Sequence, residues 1–267
     1  MKIKKLYLRS IALSLFVFPV FFTSNSMAAP KAANQSTAAK ATADKATDKI
    51  ATTKTPAEDK ASTLEQTLTS MDKAAAGFKA IEADFAWDQY QKVVDETDTE
   101  SGTIYFRRVG NEVQMMADIT GPTPDKKKSV LFSDSKVQVY LPKADQVTIY
   151  NTNKNPDVES YLTLGFGGRG HDLSKSFDVS YLGSEKIGQV QTEKINLVPK
   201  STKVKNNFDH IILWIDPSIG LSIQQQLFVP MSGDYRLAKY SNIKLKQKLP
   251  DNVFKLKTTG KTTILTP

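Results

Sequence analysis

The sequence predicts a mainly β protein of the α+β class, built on one antiparallel sheet of about ten or eleven strands. Short runs rich in β-branched and aromatic residues alternate with turn residues from about position 80 onward, which is typical of an antiparallel meander. Two segments show helical spacing of apolar residues, and no strand–helix–strand alternation occurs. The sheet is therefore expected to be antiparallel and strongly curved. Because the chain has no cysteine, the fold must rest on its apolar core.

The N-terminal part of the chain is predicted to lie outside this domain. Residues 1–28 combine basic residues, an apolar run and small residues before position 29, which is typical of a cleaved secretory signal peptide. Residues 29–61 are almost all Ala, Lys, Thr, Asp, Ser and Gln. Such a segment buries too little surface to offset its ordering entropy, so it is predicted to be a flexible linker. Residues 62–267 then form the ordered domain.

The targeting signal and the charge indicate where the protein works. An exported chain without a cysteine has no site for a lipid anchor, so we expect a periplasmic protein that is free of the membrane. The net charge of +8 falls to +4 when the four basic residues of the signal peptide are removed. This mild excess gives no argument for nucleic-acid binding.

The ordered domain is predicted to open with a helix. Ser62–Glu65 matches a capping box, and Leu64, Leu68 and Met71 follow at helical spacing. A strand over Ile81–Val93 and an acidic turn over Asp95–Glu100 come next, and a second helix is predicted over Asn155–Leu164. The remaining strands are predicted at Ser101–Arg108, Glu112–Ile119, Ser129–Phe132, Val137–Tyr140, Gln146–Tyr150, Phe177–Leu182, Gln189–Val198, His210–Ile215, Leu221–Phe228 and Tyr235–Leu245.

Arg108 is the first candidate functional residue. In the strand Ser101–Arg108, alternation places Ile104, Phe106 and Arg108 on one face and Arg107 on the other. An unpaired charge among apolar residues is costly, so the guanidinium must find acceptors for its donors. We therefore interpret Arg108 as a site residue.

Patterns that would indicate an enzyme are weak. His171 and His210 have no metal-ligand spacing and no partner for acid–base work, so we expect neither to be catalytic and predict no metal or cofactor. Gly165–Gly170 matches G-x-G-x-x-G, but a predicted helix precedes it, where a dinucleotide site needs a strand. We expect this segment to be a hinge or lid loop with an exposed Phe166, or else a plain connection.

Two further features allow both a structural and a functional interpretation. Lys126–Lys128 is either a solvated loop or a contact for an acidic partner or lipid head groups. The apolar strand residues are either a filled core or the lining of a ligand cavity, which a curved sheet with few covering helices leaves open.

The ordered meander resembles the periplasmic outer-membrane lipoprotein carriers, the LolA-like family. The resemblance is carried by Phe78–Phe85, Gly102–Arg108, the Gly121–Pro122 loop, Leu131–Lys136 and Val139–Val147. It covers Leu64 to about Tyr150 and, in layout alone, the later strands. The chain differs from the family pattern in having Val109 where the family has proline.

This resemblance implies a fold and a function. The expected fold is an incomplete, half-closed antiparallel barrel with helices covering an apolar cavity. The expected function is a non-enzymatic carrier that works as a monomer and shuttles lipoproteins from an inner-membrane transporter to an outer-membrane acceptor. The departures from the family pattern leave open whether the cargo is a lipoprotein or another lipid. Arg108 is expected to latch the helical lid. The acyl-chain cavity is expected to be lined by Phe85, Trp87, Ile104, Phe106, Met115, Phe132, Leu162, Phe166 and Trp214.

Two other functions are weighed against the carrier. A lipid-binding or envelope-stress sensor domain has a similar fold but signals instead of transporting. A periplasmic hydrolase is the remote alternative, because the sequence holds no convincing catalytic triad or acid–base pair.

Overall fold

A computed structural model describes residues 56–110, 112–121, 127–152 and 164–267. The predicted signal peptide, residues 29–55 of the predicted linker, Lys126 of the lysine run, and most of the helix predicted over Asn155–Leu164 lie outside the described residues.

The described chain forms a twelve-stranded sheet with the order β12-β6-β5-β4-β3-β2-β1-β11-β10-β9-β8-β7. All neighbours are antiparallel except β12, which pairs parallel with β6. The strands are β1 (Ala80–Gln91), β2 (Glu96–Val109), β3 (Glu112–Thr120), β4 (Lys128–Ser133), β5 (Lys136–Leu141), β6 (Gln146–Asn151), β7 (Phe177–Ile187), β8 (Val190–Pro199), β9 (Ile211–Asp216), β10 (Leu221–Phe228), β11 (Tyr235–Lys246) and β12 (Thr263–Leu265).

The sheet is open, because β12 and β7 form its two edges and do not pair with each other. The predicted mainly β, half-closed barrel is thus confirmed. The strand that sequence reasoning missed is β12, which is too short to show an alternating pattern. Three described α-helices, α1 (Pro56–Gly77), α2 (Leu173–Ser176) and α3 (Thr202–Lys205), and two 3₁₀ turns at Pro142–Ala144 and Asp251–Phe254 complete the described fold.

One face of the sheet, which we call the inner face, carries the core. It is defined by Ile81 of β1, Phe106 of β2 and Phe132 of β4, which are all at most 2% exposed. A second part of the same core lies over β7 to β10 and includes Ile195 and Leu213. Alternation on each strand sends these side chains inward, as the sequence pattern predicts for Ile81 and Phe106.

Helix α1 lies across the inner face and covers both parts of the core. Leu68 and Met71 pack with the β7–β10 cluster, and Ala74, together with Phe78 just beyond the helix, packs with the β1–β6 cluster. These residues follow one another at spacings of three or four, so they form one apolar stripe along the helix.

Helix α1 begins at Pro56 and not near Ser62. Proline is well suited to the first turn of a helix, and Glu58 and Asp59 favour its positive end. The Thr63 hydroxyl donates to the carbonyl of Asp59 at 2.9 Å, so the predicted capping segment lies inside the helix. The last residues of the predicted linker, 56–61, are therefore helical.

The predicted acidic turn is also displaced. The turn between β1 and β2 is formed by residues 92–95, and Glu96–Glu100 belong to β2. Thr99 donates to Asp88 of β1 at 2.8 Å, and Glu96 pairs with Gln91 in the ladder. Cross-strand pairing has thus overridden the low β propensity of acidic residues.

Part of the outer face is covered by the C-terminal segment, residues 249–256. Leu249 and Phe254 pack on Met116 and Leu131, whose neighbours Met115 and Phe132 belong to the inner face. Arg107 fixes this segment, because its guanidinium pairs with Asp251 at 2.5 Å and lies 4.2 Å from the centre of the Phe254 ring. Of the helices that the structure describes, none has the length and apolar character needed to cross a bilayer.

Candidate functional site

The interior of the half-open barrel is the candidate site. Its wall is formed by inner-face side chains that sequence analysis assigned to a cavity. Phe85, Ile104, Phe106, Met115 and Phe132 are all buried in one cluster, and Trp87 is partly buried against them. These side chains offer an apolar surface. In the described parts of the chain, no three His, Asp or Glu side chains are grouped to hold a metal ion.

This interior is filled by the glycine-rich loop (Gly165–Gly170). Phe166 is 1% exposed, and its ring stacks on Phe106 with centroids 4.8 Å apart and meets the edge of Tyr240 at 4.6 Å. The expectation of an exposed Phe166 is therefore wrong: a large aromatic ring gains more by entering the apolar interior than by facing water. A loop residue, and not the sheet, thus plugs the barrel.

Arg108 contacts this loop directly. Its Nη2 donates to the carbonyl oxygen of Gly167 at 2.5 Å, and its guanidinium lies 5.7 Å from the centre of the Phe78 ring. The side chain is exposed at the rim, so it closes the barrel from the edge and is not buried among Ile104 and Phe106. A charged donor on a carbonyl is among the stronger hydrogen bonds available to a loop.

Two glycines let the loop approach its neighbours closely. A Cβ on Gly167 would lie 2.7 Å from the Phe78 ring, and one on Gly170 would lie 2.4 Å from the carbonyl oxygen of Leu68 in α1. Gly167 also has a positive φ of 77°, which favours glycine. At the other end of the loop, Gln225 donates to the carbonyl of Leu164 at 2.6 Å. The loop is therefore seated between α1 and the sheet.

Replacing Gly170 with Ala should release the loop from α1. The added methyl meets backbone atoms of Leu68, which have no rotamer to adopt, so we expect a loss of about 1–3 kcal/mol of unfolding free energy. Gly168→Ala is the matched control, because a Cβ there has nothing within 4 Å. Urea unfolding measures both variants, and equal stability of the two would contradict this docking.

His171 ties the end of the loop to α1. Its Nδ1 is 2.6 Å from Asp72 Oδ2 and its Nε2 is 3.0 Å from Glu65 Oε1. Ionised carboxylates only accept hydrogen bonds, so both contacts are hydrogen bonds only when the ring is protonated and donates from both nitrogens. Its backbone N–H also donates to Asp72 at 3.2 Å, and Arg169 lies 3.6 Å from the same carboxylate.

These contacts shift both pKa values. The hydrogen bond to Asp72, followed by that to Glu65, raises the pKa of His171. Burial alone would raise the pKa of Asp72, but hydrogen bonds and charge from His171, with a smaller effect of Arg169, lower it. The contacts of His171 with Asp72 and Glu65, which we call the His171 clamp, thus require an ionised Asp72 and a protonated His171.

The His171 clamp predicts a pH dependence of stability. Because the folded pKa of His171 is raised, its contribution is fully present below about pH 6.5 and is lost as the pH rises through the raised value. The melting temperature of the protein should therefore exceed that of His171→Gln by more at about pH 6 than at about pH 9. Thermal unfolding of both proteins checks this, and a difference that does not change with pH would refute it.

One predicted cavity residue, Trp214, is not part of this interior. Trp214 is buried on the opposite face of β9, where its Nε1 donates to Glu185 at 3.0 Å and Lys194 lies over its ring. Its neighbours Leu213 and Ile215 are the ones that face inward. Leu162 lies outside the described residues.

Of the two lysines of the run that the structure describes, one lies inside the fold. Lys128 forms an ion pair with Glu100 at 2.6 Å, and Lys127 is exposed. Sequence analysis did not anticipate Phe78, Tyr240 or the Gly167 carbonyl as parts of the site. The one sequence signal for that loop was its glycine spacing.

A family model described as outer membrane lipoprotein carrier protein LolA matches residues 76–257, which is more than half of the chain. The chain belongs to the LolA family. The match spans the region from the end of α1 to the C-terminal segment, so it includes Arg108 and the glycine-rich loop. A comparison with curated proteins gave no match.

Solved structures are similar to this LolA family member at low sequence identity. An uncharacterized conserved protein from Thermus thermophilus is 9% identical with a TM-score of 0.50, over 77% of this chain and 99% of that chain. A LolA superfamily protein from Nitrosomonas europaea is 15% identical with a TM-score of 0.39, over 72% and 97%. The MucA/MucB complex from Pseudomonas aeruginosa gives 12% identity and a TM-score of 0.43, over 72% and 60%.

Proposed function

We propose that this protein is a periplasmic carrier that holds the acyl chains of lipoproteins inside its half-open barrel. The observation that carries the proposal is an apolar interior whose filling comes from a separate loop. Phe166 occupies the space between Phe106 and Tyr240, and this loop is attached by a small number of polar contacts. Membership of the LolA family supports the same function.

Cargo loading requires the loop to move. The cleft at the rim of the barrel has a volume of about 50 Å³, whereas ligand pockets have roughly 300–1,000 Å³. Displacing Phe166 and the glycine-rich loop opens the apolar interior to an acyl chain. Each methylene that enters then contributes about 0.8 kcal/mol.

The exchange of Phe166 for an acyl chain also explains release. Contacts of the acyl chain replace contacts that Phe166 makes in the closed form, so the net affinity is lower than the buried area alone suggests. Return of Phe166 to the interior, with Arg108 again bound to Gly167, favours expulsion of the chain. Hand-over between an inner-membrane lipoprotein-releasing transporter and an outer-membrane acceptor needs such moderate binding.

Gene deletion tests the carrier against its rival of the same fold. Loss of the protein should leave outer-membrane lipoproteins in the inner membrane, as fractionation and immunoblotting would detect. Normal sorting together with altered envelope-stress signalling would instead indicate the sensor domain. Mass spectrometry of lipids and acylated proteins that co-purify with the periplasmic protein identifies the cargo directly.

A further inference from the structure

A row of inner-face side chains at the rim of the barrel has no part in the contacts described so far. In the sheet register, Gln89 of β1 is paired with Asp98 of β2 on one side and with Arg236 of β11 on the other. Arg236 is in turn paired with Leu227 of β10. Directly paired residues project to the same face, and Leu227 belongs to the core, so the whole row faces the interior.

This row forms the mouth of the rim cleft. Asp98, Gln89 and Arg236 line it, and the next row inward supplies Trp87 and Ala238. Trp87 in turn lies 4.1 Å from the ring of Phe85, which is deep in the interior. The cleft therefore joins a polar mouth to the apolar interior.

Arg236 presents an unmatched positive charge at this mouth. It is half-buried, and burial lowers its pKa. Within the described parts of the chain, its guanidinium has neither a hydrogen bond nor an ion pair. A guanidinium that has lost part of its hydration without gaining a partner favours binding of an anion, and its fork fits the oxygens of a phosphate.

Asp98 presents the matching negative charge on the other wall. Glu100, the other carboxylate on this face, is already paired with Lys128 at 2.6 Å. The carboxylate of Asp88 lies on the opposite face of β1, where it pairs with Lys239 at 2.8 Å. Among the described residues Asp98 has no such pair. It is separated from Arg236 by the single strand β1, so the two backbones lie about 10 Å apart.

From these charges we infer that the cleft binds the zwitterionic head group of a phosphoethanolamine lipid. Arg236 holds the phosphate, Asp98 accepts hydrogen bonds from the ammonium group, and the amide of Gln89 lies between them. A purely anionic head would meet Asp98 without a partner, and an uncharged head would leave both charges unmatched. The acyl tail follows Trp87 into the interior, and in this respect the inference rests on the proposed carrier function.

The test compares three single-chain lipids of equal chain length, below their micelle concentrations, by calorimetry. Lysophosphatidylethanolamine should bind about tenfold more tightly than lysophosphatidylglycerol or a monoacylglycerol, because it alone pairs both charges. Arg236→Met should weaken the binding of both phospholipids to the level of the monoacylglycerol. Arg236→Lys should keep part of the preference for lysophosphatidylethanolamine. Asp98→Asn should weaken lysophosphatidylethanolamine alone.

Lys239→Met is the matched control, since it removes a cation from the same strand on the opposite face of the sheet. It should leave all three affinities unchanged. Equal binding of the three lipids to the unaltered protein, or no effect of Arg236→Met, overturns the head-group site. Either result leaves the proposed binding of acyl chains in the interior unaffected. If not even the monoacylglycerol binds, the proposed carrier function fails and the head-group site fails with it.

Discussion

Replacing Arg108 with Leu should reduce delivery of a loaded lipoprotein to an outer-membrane acceptor by about tenfold or more, while loading continues. Leucine keeps apolar bulk at the rim but removes the hydrogen bond to the Gly167 carbonyl, which is 2.5 Å long in the closed form. The glycine-rich loop then loses its strongest polar attachment to β2. Because return of the loop helps to expel the cargo, the variant should hold its cargo and not pass it on.

Arg107→Leu is the matched control for this experiment. Arg107 is the preceding residue of β2 and lies on the outer face, where it donates to Gln114 at 2.8 Å and pairs with Asp251. Its loss should lower the melting temperature, because the C-terminal segment is less firmly attached, but transfer should remain near normal. A transfer assay with labelled lipoprotein measures delivery by both variants. Blocked transfer in Arg107→Leu with normal transfer in Arg108→Leu would refute the assignment of Arg108.

The position of Arg108 shows how far strand alternation predicts a site. Period-two spacing correctly places Ile104 and Phe106 in the core at 1% and 2% exposure, and it places Arg108 on the same face. The pattern does not reveal that Arg108 lies at the end of β2, next to the turn at Gly110, where the inner face meets solvent. Alternation fixes the face of a residue, whereas its depth depends on where the covering elements end.

Alternation does not distinguish the inward face of a strand from the outward face when both are apolar. In β9 the residues Ile211, Leu213 and Ile215 alternate with Ile212 and Trp214, so either set satisfies the pattern. Trp214 lies outward because its indole N–H reaches Glu185, and a buried indole N–H needs such an acceptor. That acceptor comes from β7, which the local sequence of β9 does not reveal.

Features that depend on distant pairing were likewise beyond sequence reasoning. The rim cleft exists because β1 pairs with β11, far away in the chain, and brings Arg236 beside Gln89. The C-terminal segment covers Met116 and Leu131 because it, too, packs against strands that are far away in the chain. Register between distant strands is set by the packing of the whole core, and a local pattern does not encode it.

Replacing Phe166 with Ala should have two opposite effects. The unfolding free energy should fall by about 3–5 kcal/mol, because a fully buried ring is removed from its contacts with Phe106 and Tyr240. Acyl binding should become about tenfold tighter, because a ligand no longer has to displace a ring whose burial is worth about 1.5–3 kcal/mol. Urea unfolding measures the first effect, and titration with a hydrophobic dye, displaced by a fatty acyl ligand, measures the second.

Phe254→Ala separates these two effects. Phe254 is also buried, at 7% exposure, but it packs on the outer face with Met116 and Leu131. Its loss should lower stability without any gain in dye binding. If Phe166→Ala is too unstable to study, Phe166→Leu should show a smaller change of the same sign in both measurements. Dye affinity that stays unchanged or falls in the Phe166 variants would mean that acyl chains do not enter the space this ring fills.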